Sequence, residues 1–401
     1  MNRTLWSGRV AEQLAPEVWE FLRADDAELL PYDVQGTLLH VERLHAVGIL
    51  DDAELAEVRE ALAGLREADA AAEDVHSFIE TELGEVGRKI HAGRSRNDQV
   101  AAAVRLYVQD ACAEAEASLI AFVSAILEHA ERETALPMPG YTHLQHAQPV
   151  TLGHHLLAWV EMLERDRTRF RFAAEQAAPS PLGSGALAGS TLPLPPPPNP
   201  LRNSLDAVAD RDFVLDYLYA VAVLFTHLSR IGEELVLWAT REFGFVRLAE
   251  AAATGSSMMP QKLNPDVAEL ARGKAGTAIG RLAGLLAVVK GLPLAYDRDL
   301  QEDKPPLFAA RRDVVGALGA LTVLAAELEF ERERLAEAAS DPLLLATDAA
   351  EALVLEGVSF RDAHGQVAAS VREGTFEAPP PADRLGDVAA AVAAAKARWG
   401  C

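Results

Sequence analysis

From Ser95 to Leu136 the chain contains neither glycine nor proline, and its apolar residues return as Val100, Val104, Tyr107, Val108, Ala111, Ala115, Leu119, Phe122 and Ile126. Steps of three and four turn one side of a helix repeatedly toward a core. About 35 residues at 1.5 Å each make a rod of roughly 50 Å, too long for one small globule. Similar patterns run from about His154 to Ala177 and from about Leu205 to Phe243, the second interrupted only by Gly232. Another begins at Pro265, with Asn264 as its expected N-cap and proline suited to the first helical position. A fifth follows Pro305-Pro306 and extends to about Ala339. Alternation with period two is scarce. The pattern predicts an all-α fold around a central bundle of five long helices.

The flanks read differently. The first ninety or so residues predict shorter helices, one of them capped near Ala53 by Asp51 and Asp52. Short helices return after about Ala339, broken by three prolines at 379–381. The run LPLPPPPNP at 192–200 predicts a stiff, extended connector. These changes divide the chain into an N-terminal helical domain at 1–93, a long-helix domain at 94–339 and a small C-terminal helical domain at 340–401.

Composition narrows the function. With 401 residues, half of them hydrophobic and 24% charged, the chain can bury a sizeable core. The net charge of −23 argues against a nucleic-acid partner, whose phosphates reward clustered Lys and Arg. It leaves open a small anionic substrate, which a few local cations can hold. Cys112 and Cys401 have no CxxC spacing, so a metal or redox motif is not expected, and a reducing cytoplasm fits. The start, MNRTLWSGRV, lacks the apolar stretch of a signal peptide. The most apolar segment, read as 282–296, is broken by Lys290 and Pro293, so no membrane span is expected.

Four polar segments interrupt the helical pattern. Lys89–Val100 gathers His91, Arg94, Ser95, Arg96, Asn97 and Asp98 at the start of a long helix, where Arg forks and free N–H groups suit carboxylates. An ordinary capped helix start would also look like this. Met138–His155 crowds Thr142, His143, Gln145, His146 and Gln148 with two further histidines. Histidine serves as a general acid or base near neutral pH, and the spacing matches no zinc pattern. Ala253–Arg272 places small residues before Ser256 and Ser257, then Lys262, Asn264 and a helix. That composition suits a mobile catalytic loop or a plain surface loop; without a GxSxG elbow, acyl transfer is unsupported. Gly291–Phe308 mixes Tyr296, Arg298, Gln301 and Lys304 with four acids, either a binding segment or a solvated charge run.

Taken together these segments resemble a known family. GSSMMPQKLNPD is similar to the signature loop of the fumarase/aspartase superfamily. HAGRSRNDQV, GYTHLQHAQPVTLGHHLLAW, PLGSGALAGS, NSLDAVADRDF and LAYDRDLQEDK, in that order, resemble the argininosuccinate lyases, from about Asp33 to about Val367. The RSRND and LQEDK blocks speak against lyases of the same superfamily that act on adenylosuccinate or fumarate. Retention of the catalytic positions speaks against a recruited structural protein such as the lens crystallins of this family.

The resemblance implies β-elimination of argininosuccinate to arginine and fumarate, the last step of arginine biosynthesis, with no metal or organic cofactor. It implies Ser256 as the base, Lys262 as support for the carbanionic intermediate, and His143 tuned by Glu269. Arg96, Asn97, Thr142, Asn264, Tyr296, Gln301 and Lys304 are the implied substrate-binding residues. Ser95 and His76 lie in matching motifs without an assigned role. A homotetramer is implied, with central bundles forming its core and each active site shared between subunits. Ala92, Leu263 and Asp297 depart from the family's usual Thr, Lys and Asn. The stretch from Phe21 to Asp33, the connector and the tail are shorter than usual, and the family's N-terminal substrate-contacting serine has no evident counterpart.

Overall fold

The computed structural model describes residues 14–69 and 72–401, so the start MNRTLWSGRV lies outside the described residues. In the N-terminal region α1 (Pro16–Leu22), α2 (Leu30–Ala46), α3 (Asp52–Gly64), α4 (Val75–Glu82) and α5 (Gly84–Ile90) are all short to moderate in length. Asp51 caps α3 as the sequence predicts. Its carboxylate accepts from Glu54 N at 2.9 Å while the Glu54 side chain accepts from Asp51 N, a reciprocal capping box.

Five long helices follow: α6 (Arg96–Arg132), α7 (Leu152–Ala177), α9 (Asp212–Trp238), α10 (Asp266–Val289) and α11 (Lys304–Ala326), with the short α8 (Ser204–Ala209) before α9. At 37 residues, α6 is about 55 Å long. The chain then closes with α12 (Arg332–Ala339), α13 (Ala346–Leu355), α14 (Phe360–Glu373) and α15 (Val388–Trp399), and no helix spans the prolines at 379–381.

Several boundaries differ from the sequence pattern for identifiable reasons. The stretch after Leu205 is two helices, because the Asp210 carboxylate accepts from Asp212 N at 2.7 Å and caps a new helix without any glycine or proline. The stretch after Pro306 ends at Ala326, since Glu329–Phe330 (β6) leaves the helix to pair with Val246–Arg247 (β3). Asn264 is not the cap of α10. It lies in a two-residue strand, and the Pro265 carbonyl receives the first helical N–H, that of Glu269. Among the described residues α9, rather than 282–296, is the helix long and apolar enough to cross a membrane, yet 61% of its apolar 18-residue window is buried within the protein.

The residues form two compact units, each threaded by parts of the five long helices: Met1–Glu116, Thr168–Val223 and Gly276–Val315 make the first, and Ala117–Arg167, Leu224–Ala275 and Gly316–Cys401 the second. The first is cored by Val104, Tyr107 and Val108 of α6 with Phe213, Tyr217 and Phe308, and the Tyr107 and Phe308 rings lie 4.9 Å apart. The second is cored by Phe122, Trp159, Phe225, Leu228 and Trp238, with the two indoles stacked at 5.4 Å.

The second unit also holds an antiparallel hairpin that the sequence pattern did not predict, Pro137–Thr142 (β1) with Gln145–Thr151 (β2). Its register slips at Gly140, where a Cβ would stand 2.6 Å from the Gln148 carbonyl oxygen, so the bulge requires glycine. The remaining two-residue strands, Thr254–Gly255 (β4) and Leu263–Asn264 (β5), pair with each other.

Candidate active site

The first unit contains a cavity of about 360 Å³ whose wall includes Arg96, Asn97, Tyr296, Gln301 and Lys304, five of the seven expected substrate-binding residues. Ser95 and His76, which carried no assigned role, line it too, as do Asp26, Asp74 and Arg298.

Local chemistry builds each wall. Ser95 precedes the first residue of α6 and takes the N-cap position. Its N–H donates to Asp98 at 2.9 Å while its hydroxyl accepts from Asn97 N at 3.3 Å. Asp98 is fully buried and also accepts from Gly183 N and Gly185 N, both at 3.0 Å. Burial nevertheless raises its carboxyl above the usual range, against those hydrogen bonds. The cap fixes the first turn, so Arg96 turns to Asp74 (2.7 Å) and Ser77 (3.2 Å), and the Asn97 amide donates to the Ala186 carbonyl at 3.1 Å.

On the opposite flank in sequence, Lys304 opens α11. Its ammonium donates to Asp303 at 2.8 Å, and Arg211 donates to the other oxygen of the same carboxylate. Arg211, Asp303 and Lys304 are all buried. Burial pushes the Asp303 carboxyl up, but Lys304 and Arg211 outweigh that and hold it below the usual range. Gln301 and Arg298 donate to the backbone carbonyls of Arg23 and Leu22, at 3.3 and 2.5 Å, fixing the segment that leads to Asp26. Asp26 is buried, accepts from Val75 N at 2.9 Å, and is raised chiefly by desolvation.

The residues expected to carry the chemistry lie in the second unit and are more open. His143 and Leu144 form the tip of the hairpin, both at φ 56°. Two consecutive left-handed residues make the two-residue turn that suits a twisted hairpin, normally supplied by Asn-Gly. A histidine and a leucine hold this conformation at a cost of roughly 1 kcal/mol or more each. Thr142 begins the turn, and below it the Tyr141 hydroxyl meets His146 Nε2 at 3.2 Å. The exposed His143 ring has no hydrogen-bond or ion-pair partner among the described residues.

Ser256 sits in the loop closed at its base by β4 and β5, where Thr254 pairs with Asn264 and Gly255 with Leu263. The Ser256 hydroxyl oxygen accepts from Met258 N at 3.3 Å and Met259 N at 3.0 Å. The Asn264 amide reaches the Gly255 carbonyl at 3.5 Å. Lys262 is exposed. Glu269, in the first turn of α10, approaches Arg272 at 3.8 Å, and no hydrogen bond or ion pair joins it to His143 among the described residues. The structure therefore gathers five of the seven expected binding residues in the first unit, places Thr142 and Asn264 in the second, and makes no hydrogen bond or ion pair between His143 and Glu269 among the described residues. Sequence reasoning missed Asp303, Arg211, Asp26 and Asp33; acids inside otherwise apolar helical stretches were the available signal for Asp33.

Helical architecture with a signature serine loop defines a lyase of the fumarase/aspartase type. Residues 54–280 match the lyase family, and residues 343–379 match the argininosuccinate lyase C-terminal family. An argininosuccinate lyase from Anaeromyxobacter dehalogenans is 51% identical over 374 residues, 87% of this chain and 80% of that protein. The chain belongs to the argininosuccinate lyase family. Among solved structures, an EDDS lyase in complex with formate superposes with a TM-score of 0.76 at 28% identity, covering 96% of this chain and 82% of that one. A class II fumarase from Schistosoma mansoni, at 15% identity and TM-score 0.75 over 92% of this chain and 88% of that one, shares the fold.

Proposed function

We propose that the protein cleaves argininosuccinate into arginine and fumarate by β-elimination, the last step of arginine biosynthesis, in the cytoplasm and without a metal or organic cofactor. The observation that carries this reading is the convergence of Arg96, Asn97, Tyr296, Gln301 and Lys304 on one cavity, in a chain of this family.

Elimination requires a base for a weakly acidic C–H beside a carboxylate, and a stabiliser for the doubly charged aci-carboxylate that forms. Ser256 is the base in this reading. Its hydroxyl is a poor base until its alkoxide is stabilised, and the Met258 and Met259 N–H groups already point at that oxygen. Hydrogen bonds to the charged form favour it. Lys262 and Asn264 serve the aci-carboxylate. His143, tuned by Glu269, returns a proton to the guanidino leaving group, and Thr142 at the same hairpin tip binds substrate.

The working unit is a homotetramer whose sites draw His143 and Ser256 from different subunits. Support comes from α10, where a Cβ added at Gly273, Gly276, Gly280 or Gly284 would meet nothing within 4 Å, and where Leu270, Ile279 and Leu286 are exposed. Glycines spaced along a helix let another helix approach closely, and self-association is the common way to cover such a face. Release of fumarate from purified argininosuccinate, with none from adenylosuccinate, tests the reaction. Activity abolished by a chelator and restored by a divalent ion would overturn its metal-free character. Sedimentation as a monomer would overturn the assembly.

A further inference from the structure

His76 is buried to 2% exposure in α4, and its Nδ1 lies 2.9 Å from Asp33 Oδ2. Asp33 is itself fully buried and locked from behind by the Gln99 amide, at 3.0 and 2.9 Å to its two oxygens. This pairing turns the ring toward the carboxylate, while neither ring nitrogen makes a hydrogen bond of good geometry within the protein. The other nitrogen, Nε2, is buried with neither a hydrogen-bond nor an ion-pair partner among the described residues. His76 lines the cavity, whereas Arg96 is engaged by Asp74 and Lys304 by Asp303. A buried polar atom without a partner is costly and uncommon, so an acceptor supplied by a ligand is favoured there. The small side-chain adjustments usual on binding give access to it.

The same wall carries the Asp26 and Asp74 carboxylates. Carboxylates suit an ammonium group, and an imidazole N–H suits a carboxylate. Both together match the zwitterionic end of an α-amino acid. Resting on the argininosuccinate reading, we propose that His76, as the imidazolium ion-paired with Asp33, is a further substrate-binding residue whose Nε2–H donates to the carboxylate of the ligand's arginine end.

The test compares arginine with agmatine, which is arginine without that carboxylate, by titration calorimetry on the full-length protein. His76→Leu is expected to weaken arginine binding roughly ten- to a hundred-fold, the range for a hydrogen bond to a charged group. Agmatine binding should change by less than about three-fold, because the two deletions remove the same contact and are not additive. The KM for argininosuccinate should rise by the same factor as the arginine Kd, with kcat within a few-fold of wild type. His76→Gln, which keeps an N–H donor, should retain part of the preference for arginine and serves where the leucine variant fails to fold. Equal weakening of both ligands, or unchanged arginine binding, in an active wild-type background overturns the assignment of His76 alone. A wild-type protein that neither binds arginine nor forms fumarate from argininosuccinate overturns the reaction, and this assignment with it.

Discussion

The expected site residues of the two units are treated in opposite ways. In the first, charged groups are buried or half-buried and paired from within: Arg211 and Lys304 share Asp303, Arg96 rests on Asp74, and Asp98 draws in two backbone N–H groups. In the second, His143 and Lys262 are exposed, and Ser256 sits in a loop whose base is pinned by two strand pairs and a Thr254–Asp266 hydrogen bond. Buried, mutually held charges make a rigid receptor, since moving one strands another. Exposed groups on a strained tip and a short loop gain fixed geometry only when something else packs against them. On the proposed reading, the contrast separates recognition built by one chain from chemistry that assembly completes.

The sharpest way to break that separation is to remove a chemical group and look for damage to binding. Ser256→Ala should lower kcat by about 10²–10⁴-fold or more, while arginine binding measured by calorimetry stays within a few-fold of wild type. Wild-type kcat would show the base to be wrong; lost binding would show the two roles to be merged. His143→Asn should be similarly impaired, and Glu269→Gln less so, because Glu269 acts through the histidine. The reverse order would undo that pairing.

The receptor half predicts an effect on stability next. Asp303→Asn strands Arg211 and Lys304 and should destabilise by about 3 kcal/mol at pH 7, read by denaturant unfolding. The sign with pH follows from the depressed Asp303 carboxyl. Its stabilisation is complete above the unfolded value of about 3.9 and is lost as pH falls through the lower folded value. The variant's deficit should therefore be constant near neutrality and shrink below about pH 4. A deficit that grows on acidification would contradict the account.

The smallest expected effect concerns the hairpin tip. Leu144→Gly relieves one left-handed residue and should stabilise the protein by up to about 1 kcal/mol, offset in part by the extra freedom of glycine when unfolded. A fall in Tm would show that the leucine makes a contact outweighing its backbone strain.

Much of this was legible in advance, and the failures have physical causes. The start of α6 could be read because Ser95 and Asp98 form a local cap, and the extent of α7 because its apolar period is unbroken. The hairpin was hidden because few of its strand residues are buried and three are prolines, which erases the period-two signal. The break before α9 was hidden because Asp210, rather than glycine or proline, makes it. At the site, motif resemblance named five residues that the fold brings together, yet missed what holds them. Asp303 and Arg211 are 92 positions apart, and His76 and Asp33 are 43 apart, so only folding reveals these pairs.

The central claim is that recognition belongs to one chain and chemistry to an assembly. The direct test mixes His143→Asn with Ser256→Ala, each nearly inactive alone, under conditions shown to exchange subunits, and measures fumarate release. Shared sites predict that activity returns, because some sites then collect an intact His143 from one subunit and an intact Ser256 from another. Exchange proven by sedimentation or mass measurement, with no recovered activity, would contradict the account.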